Sequence, residues 1–166
     1  ILFGFTIVEI YTEQLHLPPI VFDTSPCKLR LQELGHELPI FETTQFMSQF
    51  VLDKLHITPS TNPIALHVTC SSQKMGIAHD LRHVANACAT HVVEPEGVAC
   101  CGFAGDKGMT VPELNASALS GLKAQIPQGC SKGYSNSRTC EIGLTQHSGI
   151  DYQSLLFLLD EVSVAK

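Results

Sequence analysis

The middle of the chain alternates between short β-prone apolar runs and segments with helical periodicity. Residues 63–68 and 91–94 are apolar runs next to proline or loop residues, which favours buried strands. Between them, residues 78–89 carry apolar side chains at the spacing of an amphipathic helix. After a glycine-containing loop at residues 98–110, Pro112 begins a predicted helix that runs to residue 124.

The two ends of the chain show the same alternation. Further strands are predicted at residues 20–23, 39–42 and 131–134, and further helices at residues 28–34, 44–55 and 152–162. Thr43 or Thr44 is expected to cap the helix that runs to Leu55. Strands separated by helices of this length indicate an α/β fold, with a parallel sheet flanked by helices on both faces in a Rossmann-like three-layer arrangement.

A weak internal repeat relates the start of the chain to its end. Residues 22–33 align with residues 134–146, which places Cys27 over Cys140, 113 residues later (140 − 27 = 113). Each cysteine follows a strand and a short polar turn, and each is followed by a helix, a loop and a second helix. We interpret the chain as a fragment with a partial first unit (1–55) and a complete second unit (56–166), and a chance similarity is the alternative.

The amino-acid composition and net charge argue against several classes of protein. The chain has 166 residues, of which 44% are hydrophobic and 16% charged, so it can form one domain with a substantial core. Its net charge of −6, without a basic cluster, argues against nucleic acid as a partner. The apolar runs are too short for a transmembrane segment, and no basic segment precedes the first one as in a signal peptide. We therefore expect a cytoplasmic protein, with a peripheral position at a membrane left open.

The seven cysteines are the unusual feature. An odd number cannot pair fully within one chain, and reduced thiols fit a cytosolic setting. Cys100 and Cys101 are adjacent and precede Gly102, which suits two thiolates that approach a metal or cluster with the backbone close by. The alternatives are a buried pair that acts as small hydrophobes, or a vicinal redox dithiol.

Other cysteines strengthen the metal or cluster hypothesis. Cys70 ends a predicted parallel strand, where the ligands of α/β proteins gather, and Cys140 begins a helix, whose N-terminus favours thiolates. Cys27 holds the corresponding place in the first unit. Cys88 lies on the apolar stripe of a helix and is expected in the core, while Cys130 is left undecided between a loop surface and a ligand.

The spacing of these cysteines resembles the cysteine-rich CCG domain. Cys70, Cys100-Cys101-Gly102 and Cys140 follow its pattern, and the strings FDTSPC, CCGFAGDKG, PELNASAL and SNSRTCEIGL look most like the C-terminal part of FAD/iron–sulfur D-lactate dehydrogenases. The same domain occurs in the iron–sulfur subunits of glycolate oxidases and in heterodisulfide reductases. The resemblance implies two CCG-type repeats, with Cys70, Cys100, Cys101 and Cys140 as ligands of an iron–sulfur cluster. It covers residues 20–162.

The resemblance also implies a function for the domain. Electrons would pass from FAD, held on a domain or subunit outside this chain, to an acceptor, in the oxidation of D-lactate or a similar 2-hydroxy acid. Ser137 stands where the family has the first cysteine of a Cys-x-x-Cys, so four thiolates remain, which is enough for a [4Fe–4S] cluster. Further candidate ligands are Cys27, His67 and Cys130. The alternatives are a zinc-stabilised or metal-free interaction module of a redox complex, and a thiol–disulfide protein.

Overall fold

The computed structural model describes residues 19–34 and 39–166. The strands are β1 (Ile20–Phe22), β2 (Ile40–Glu42), β3 (Leu55–Ile57), β4 (Ile64–Leu66), β5 (Val92–Val93), β6 (Lys132–Ser135), β7 (Asp151–Ser154) and β8 (Ser163–Ala165). The α-helices are α1 (Ser25–Glu33), α2 (Thr43–Phe46), α3 (Cys70–Lys74), α4 (Ala78–Cys88), α5 (Lys107–Thr110), α6 (Pro112–Ala118), α7 (Arg138–Ser148) and α8 (Leu155–Val162). The α2 helix continues as a π-helical turn (Met47–Val51) and a 3-10 turn (Leu52–Lys54), and a further 3-10 turn lies at Lys123–Gln125.

The principal sheet has four parallel strands in the order β5-β4-β6-β7. Its two inner strands are β4 and β6, which are paired through Ala65 with Gly133 and through Leu66 with Tyr134. Because each crossover between parallel strands contains a helix, the helices cover the faces of the sheet. The predicted α/β fold with a helix-flanked parallel sheet is therefore confirmed.

The two faces of the sheet contact separate hydrophobic cores. Ile64 and Leu66 of β4 belong to the core that includes the apolar sides of α4 and α8, whereas Ala65 belongs to a core that includes Leu144 of α7. Successive side chains of a strand point to opposite faces, so this alternation places the two cores on either side of β4. The second core also contains Cys101 and Cys140, so two of the candidate ligands are packed among its apolar side chains.

Several predicted boundaries differ from the structure. The sequence predicts the last helix from residue 152, but Tyr152 pairs with Gly133 in β7, and the helix begins at Leu155. The helix that begins at Pro112 ends at Ala118, just before a Ser-Gly turn, because the residues beyond it fold into the second core. The α2 helix is capped by the carboxylate of Glu42 and not by a threonine hydroxyl.

Two small sheets lie outside the principal sheet. β3 and β8 form an antiparallel pair, with His56 opposite Val164. β1 and β2 form a second, two-stranded parallel sheet. The sequence predicts the strands β1 and β2. It does not predict β3 and β8, which have only three residues each, too few for a clear alternation of polar and apolar positions.

The two segments aligned by the sequence have the same order of elements. β1, α1, β2 and α2 follow one another as β6, α7, β7 and α8 do, and both pairs of strands are parallel. Thr24 and Ser137 are the N-cap residues of α1 and α7, and Cys27 and Cys140 are each the third residue of the helix. The division at residue 55 stays a prediction, and residues 1–18 and 35–38 of its first unit lie outside the described part.

No helix in the described ranges is both long enough and apolar enough to cross a bilayer.

Replacing Gly133 by Ala tests the packing of β6 against β7. A Cβ atom at Gly133 would overlap the ring of Tyr152, which is buried in the second core. Overpacking of this kind costs about 1–3 kcal/mol, so we expect a fall of that size in the free energy of unfolding, measured by urea denaturation. Gly121→Ala is the control, because its Cβ would meet its nearest neighbour at 4.0 Å. Equal stability of the two variants would contradict this packing.

Candidate cysteine site

Cys70, Cys100, Cys101 and Cys140 line one cavity, which has a volume of about 210 Å³. Cys70 begins α3 after strand β4, the two adjacent cysteines lie in the loop after β5, and Cys140 lies in the first turn of α7 after β6. These three strands are neighbours and run parallel, so their carboxyl ends meet at one edge of the sheet. The sequence predicts that Cys70, Cys100 and Cys140 converge at this edge, and the structure brings these three and Cys101 together there.

Cys101 and Cys140 form the buried half of the site. Their Sγ atoms are 2.8 Å apart and are joined by a hydrogen bond. This bond lowers the pKa of Cys101 to about 7. The same bond, together with burial, raises the pKa of Cys140. The shared hydrogen bond therefore shifts the pKa values of the two thiols in opposite directions.

Cys70 and Cys100 form the open half of the site. The Cys100 side chain is exposed and that of Cys70 is half-buried. Burial raises the pKa of Cys70, and the neighbouring Cys100 raises it further, while the ammonium group of Lys74 opposes the shift. Lys74 also lines the cavity, which gives the site one positive side chain among its thiols.

The Cys-Cys-Gly turn is fixed against α6 by close backbone approach. Gly102 has a positive φ of 74°, and a Cβ atom there would lie 2.5 Å from the carbonyl oxygen of Leu114. The side-chain amide of Asn115 donates a hydrogen bond to the carbonyl of Cys101. A Cβ atom on Gly143 of α7 would overlap that same amide. Asn115 thus fills the space between the turn and the helix that carries Cys140.

A buried network of hydroxyl and amide groups lies next to Cys70. Thr69 accepts a hydrogen bond from the backbone N–H of Ser72 as the N-cap of α3, and its hydroxyl donates to Asn136 Oδ1 at 3.0 Å. Asn136 Nδ2 in turn donates to Ser72 Oγ at 2.8 Å. Ser25 of α1 joins the network through Ser71 Oγ at 2.7 Å. The start of α1 is therefore tied to the residues on either side of Cys70.

Sequence reasoning did not identify this network or Asn115. The run Thr69-Cys70-Ser71-Ser72 does carry a signal, because a threonine before a short polar run is a typical N-cap. Asn115 lies within the string PELNASAL, where no spacing rule marks it as a partner of Cys101. Only the packing of α6 against the Cys-Cys-Gly turn brings the two residues together.

The three further candidate ligands do not line the cavity with the four cysteines. Cys27 is exposed, although Pro26 and Leu29 on either side of it form part of the cavity wall. Cys130 is buried before β6, where its thiol lies 3.3 Å from the carbonyl of Lys132, and it lines a different recess. It lies at the start of β6, away from the end that precedes Cys140.

His67 and Cys88 lie in the packed interior. His67 is buried at the end of β4, with Nδ1 3.2 Å from the hydroxyl of Ser135. Cys88 is completely buried among the apolar side chains of the first core, as predicted from its helical stripe. Burial raises the pKa of Cys88 to about 12, so its thiol stays protonated at neutral pH.

In residues 19–34 and 39–166, no three or more His, Cys, Asp or Glu side chains are arranged to hold a single metal ion. Compared with known proteins, the sequence matches no family model and no curated protein. The resemblance to the CCG domain and the assignment of ligands stay predictions.

The burial of His67 predicts a pH dependence of stability. Burial lowers its pKa to about 4, and the charge of Glu94 opposes that shift only in part. An unfolded histidine has a pKa of about 6.5, so between these values the unfolded state binds the extra proton and stability falls as pH falls. Urea denaturation from pH 7 to pH 4 gives the free energy of unfolding as a function of pH. His67→Gln should reduce the slope of this free energy against pH by up to about 1.4 kcal/mol per pH unit.

The exposed His91 supplies the control for this measurement. His91→Gln should leave the slope of the wild-type chain in place. An unchanged slope in His67→Gln would show that other groups cause the acid sensitivity.

Proposed function

We propose that this chain is an electron-transfer domain that binds an iron–sulfur cluster through Cys70, Cys100, Cys101 and Cys140. The observation that carries the proposal is that these four thiols, from three different segments of the chain, line one cavity. Four cysteines are the ordinary ligand set of a [4Fe–4S] cluster, in which each thiolate binds a different iron. Sulfur atoms placed around a cavity suit such a cluster.

The electrostatics around the cavity support the same proposal. Cluster ligands are thiolates, and negative charge is stabilised near the N-terminus of a helix. Cys140 is the third residue of the eleven-residue helix α7. Lys74 adds a positive side chain to the cavity wall. Both features favour a group of negatively charged ligands.

In the proposed role, electrons come from a flavin and leave to an acceptor. The resemblance to FAD-dependent D-lactate dehydrogenases supports FAD on another domain or subunit as the donor, and a 2-hydroxy acid as the compound that the flavin oxidises. The exposed Cys100 gives the site an edge at the surface where a partner can approach. The chain itself would then carry electrons in the cytoplasm without acting on the hydroxy acid.

A zinc-stabilised or metal-free interaction module is the alternative. Four thiols can also bind zinc, and a domain of a redox complex can dock its partner without any metal. Measuring iron, acid-labile sulfide and zinc in the same anaerobic preparation separates these cases.

The first test compares two cysteines at equivalent helix positions. Cys140 and Cys27 are each the third residue of a helix, but only Cys140 lines the cavity. After anaerobic reconstitution with iron and sulfide, the wild-type chain should absorb at about 400 nm, as thiolate-bound clusters do. Cys140→Ser should lose this absorption and the bound iron, because it leaves three thiols at the cavity.

The Cys27→Ser variant is the matched control and should retain both iron and absorption. Cys88→Ser should do the same, since Cys88 is packed in the first core. Tight binding of zinc without iron uptake would establish the alternative module. Equal loss of iron in the Cys140 and Cys27 variants would contradict the assigned ligand set.

A second test adds a thiol to the cavity wall. Ser137 is buried, lines the cavity and precedes α7 as its N-cap, at the position where the family has a further cysteine. Ser137→Cys should therefore retain iron and change the visible and electron paramagnetic resonance spectra. Thr24→Cys, at the equivalent N-cap of α1, should leave the spectra unchanged. Identical spectra for both variants would show that position 137 does not reach the bound group.

A further inference from the structure

The sulfur atoms of Cys101 and Cys140 are in contact, at 2.8 Å. All seven cysteines are free thiols. A disulfide bond is about 2.05 Å long, so the two atoms need to move by less than one ångström to form it. We propose that Cys101 and Cys140 are a thiol-oxidation site, at which the metal-free chain forms one specific disulfide bond.

The surrounding residues hold the pair in this position. Asn115 donates its amide hydrogen bond to the backbone carbonyl of Cys101, and the same amide packs against Gly143. Gly143 lies one helical turn after Cys140, so both lie on the same face of α7. A single buried side chain therefore holds the turn with one thiol against the helix with the other. Such fixed proximity raises the rate of bond formation between the two.

Other pairings are less favourable on geometric grounds. Cys100 and Cys101 are adjacent, and consecutive Cα atoms are about 3.8 Å apart, which is shorter than the usual Cα separation across a disulfide, about 4.4–6.8 Å. Cys70 and Cys100 are neighbours at the open side of the cavity, but the Cys100 side chain is exposed, whereas Cys101 and Cys140 are both buried. Cys27, Cys88 and Cys130 do not line the cavity.

Formation of the disulfide bond needs a two-electron oxidant, and a small peroxide can serve as this oxidant. The side chains of Cys101 and Cys140 are 4% and 7% exposed, and the cavity that both line gives a small molecule access. The thiolate of one cysteine attacks hydrogen peroxide, which forms a sulfenic acid and releases hydroxide. The second thiol then displaces water from the sulfenic acid, so that two thiols and one peroxide give one disulfide and two waters.

The disulfide bond would also regulate iron binding at the proposed cluster site, a consequence that rests on the proposed function. The disulfide would withdraw two of the four proposed ligands, so an oxidised chain should not accept a cluster until a dithiol reductant restores both thiols. Formation of the disulfide itself requires no metal. The two proposals can therefore fail independently.

The test begins with the reduced, metal-free chain and one equivalent of hydrogen peroxide. Titration of free thiols should fall from seven to five (7 − 2 = 5), because one bond uses two of the seven cysteines. Peptide mapping without reduction should find Cys101 joined to Cys140. Dithiothreitol should restore all seven thiols.

Two variants show whether the pairing depends on the observed geometry. Cys100→Ser should still lose two thiols, because Cys100 is not part of the bond. Asn115→Asp keeps the side-chain shape but removes the amide donor, so it should slow formation of the Cys101–Cys140 bond at least several-fold. The matched control is Asn86→Asp, which removes an exposed amide that donates to the carbonyl of Arg82 at 2.8 Å. Alkylation of buried Cys88 should stay slow in every variant and reports on unfolding.

Three results would overturn the proposal: no loss of thiols in the wild-type chain, a bond between any other two cysteines, or an Asn115→Asp rate equal to that of the control. The outcome for iron is read separately. A disulfide that forms in a chain that never takes up iron would leave the oxidation site in place and overturn the proposed function. Iron uptake that is the same before and after oxidation would overturn the regulatory consequence alone.

Discussion

The parallel pairing of β4 with β6 is the constraint on which the site depends. It joins Ala65 to Gly133, residues that are far apart in the chain, and aligns the two strands so that both end at the same edge of the sheet. β5 joins them on the other side of β4. Because a strand that ends at this edge is followed by a loop or a helix start, the residues that follow all three strands are brought together. The four cysteines of the cavity are all among those residues.

The same geometry explains why polar side chains concentrate beneath the cavity. Helices that begin at one edge leave backbone N–H groups without partners, and nearby hydroxyl, amide or carboxylate groups satisfy them. Thr69, Ser154 and Glu42 each accept hydrogen bonds of this kind at a helix start. Asn136 and Ser25 extend the group around Thr69 into a network that spans two sheets of the protein. The first segment thus supports the site through Ser25, while its own cysteine is exposed.

Features of the sequence that depend on local pattern were predictable, and those that depend on distant contacts were not. The stripe from Leu81 to Cys88 is a local signal, and α4 has the predicted extent within one residue. Convergence of the cysteines followed from strand order in parallel sheets, which is a general rule of topology. Tyr152, in contrast, lies in a strand opposite Gly133, which leaves space for its ring on the neighbouring strand. The contact of Asn115 with Cys101 likewise depends on how α6 packs, which its own sequence does not encode.

The cysteine site has a buried wall, formed by Cys101 and Cys140, and an open wall, which includes the exposed Cys100. Cys101 and Cys140 belong to the second hydrophobic core, so that wall is buried against the packing of α7. Cys100 is exposed, and the glycine-containing turn after it packs closely against α6. In the proposed function, a redox partner would approach from the side of the exposed Cys100. A group bound among the four thiols would therefore lie between that surface and the buried second core.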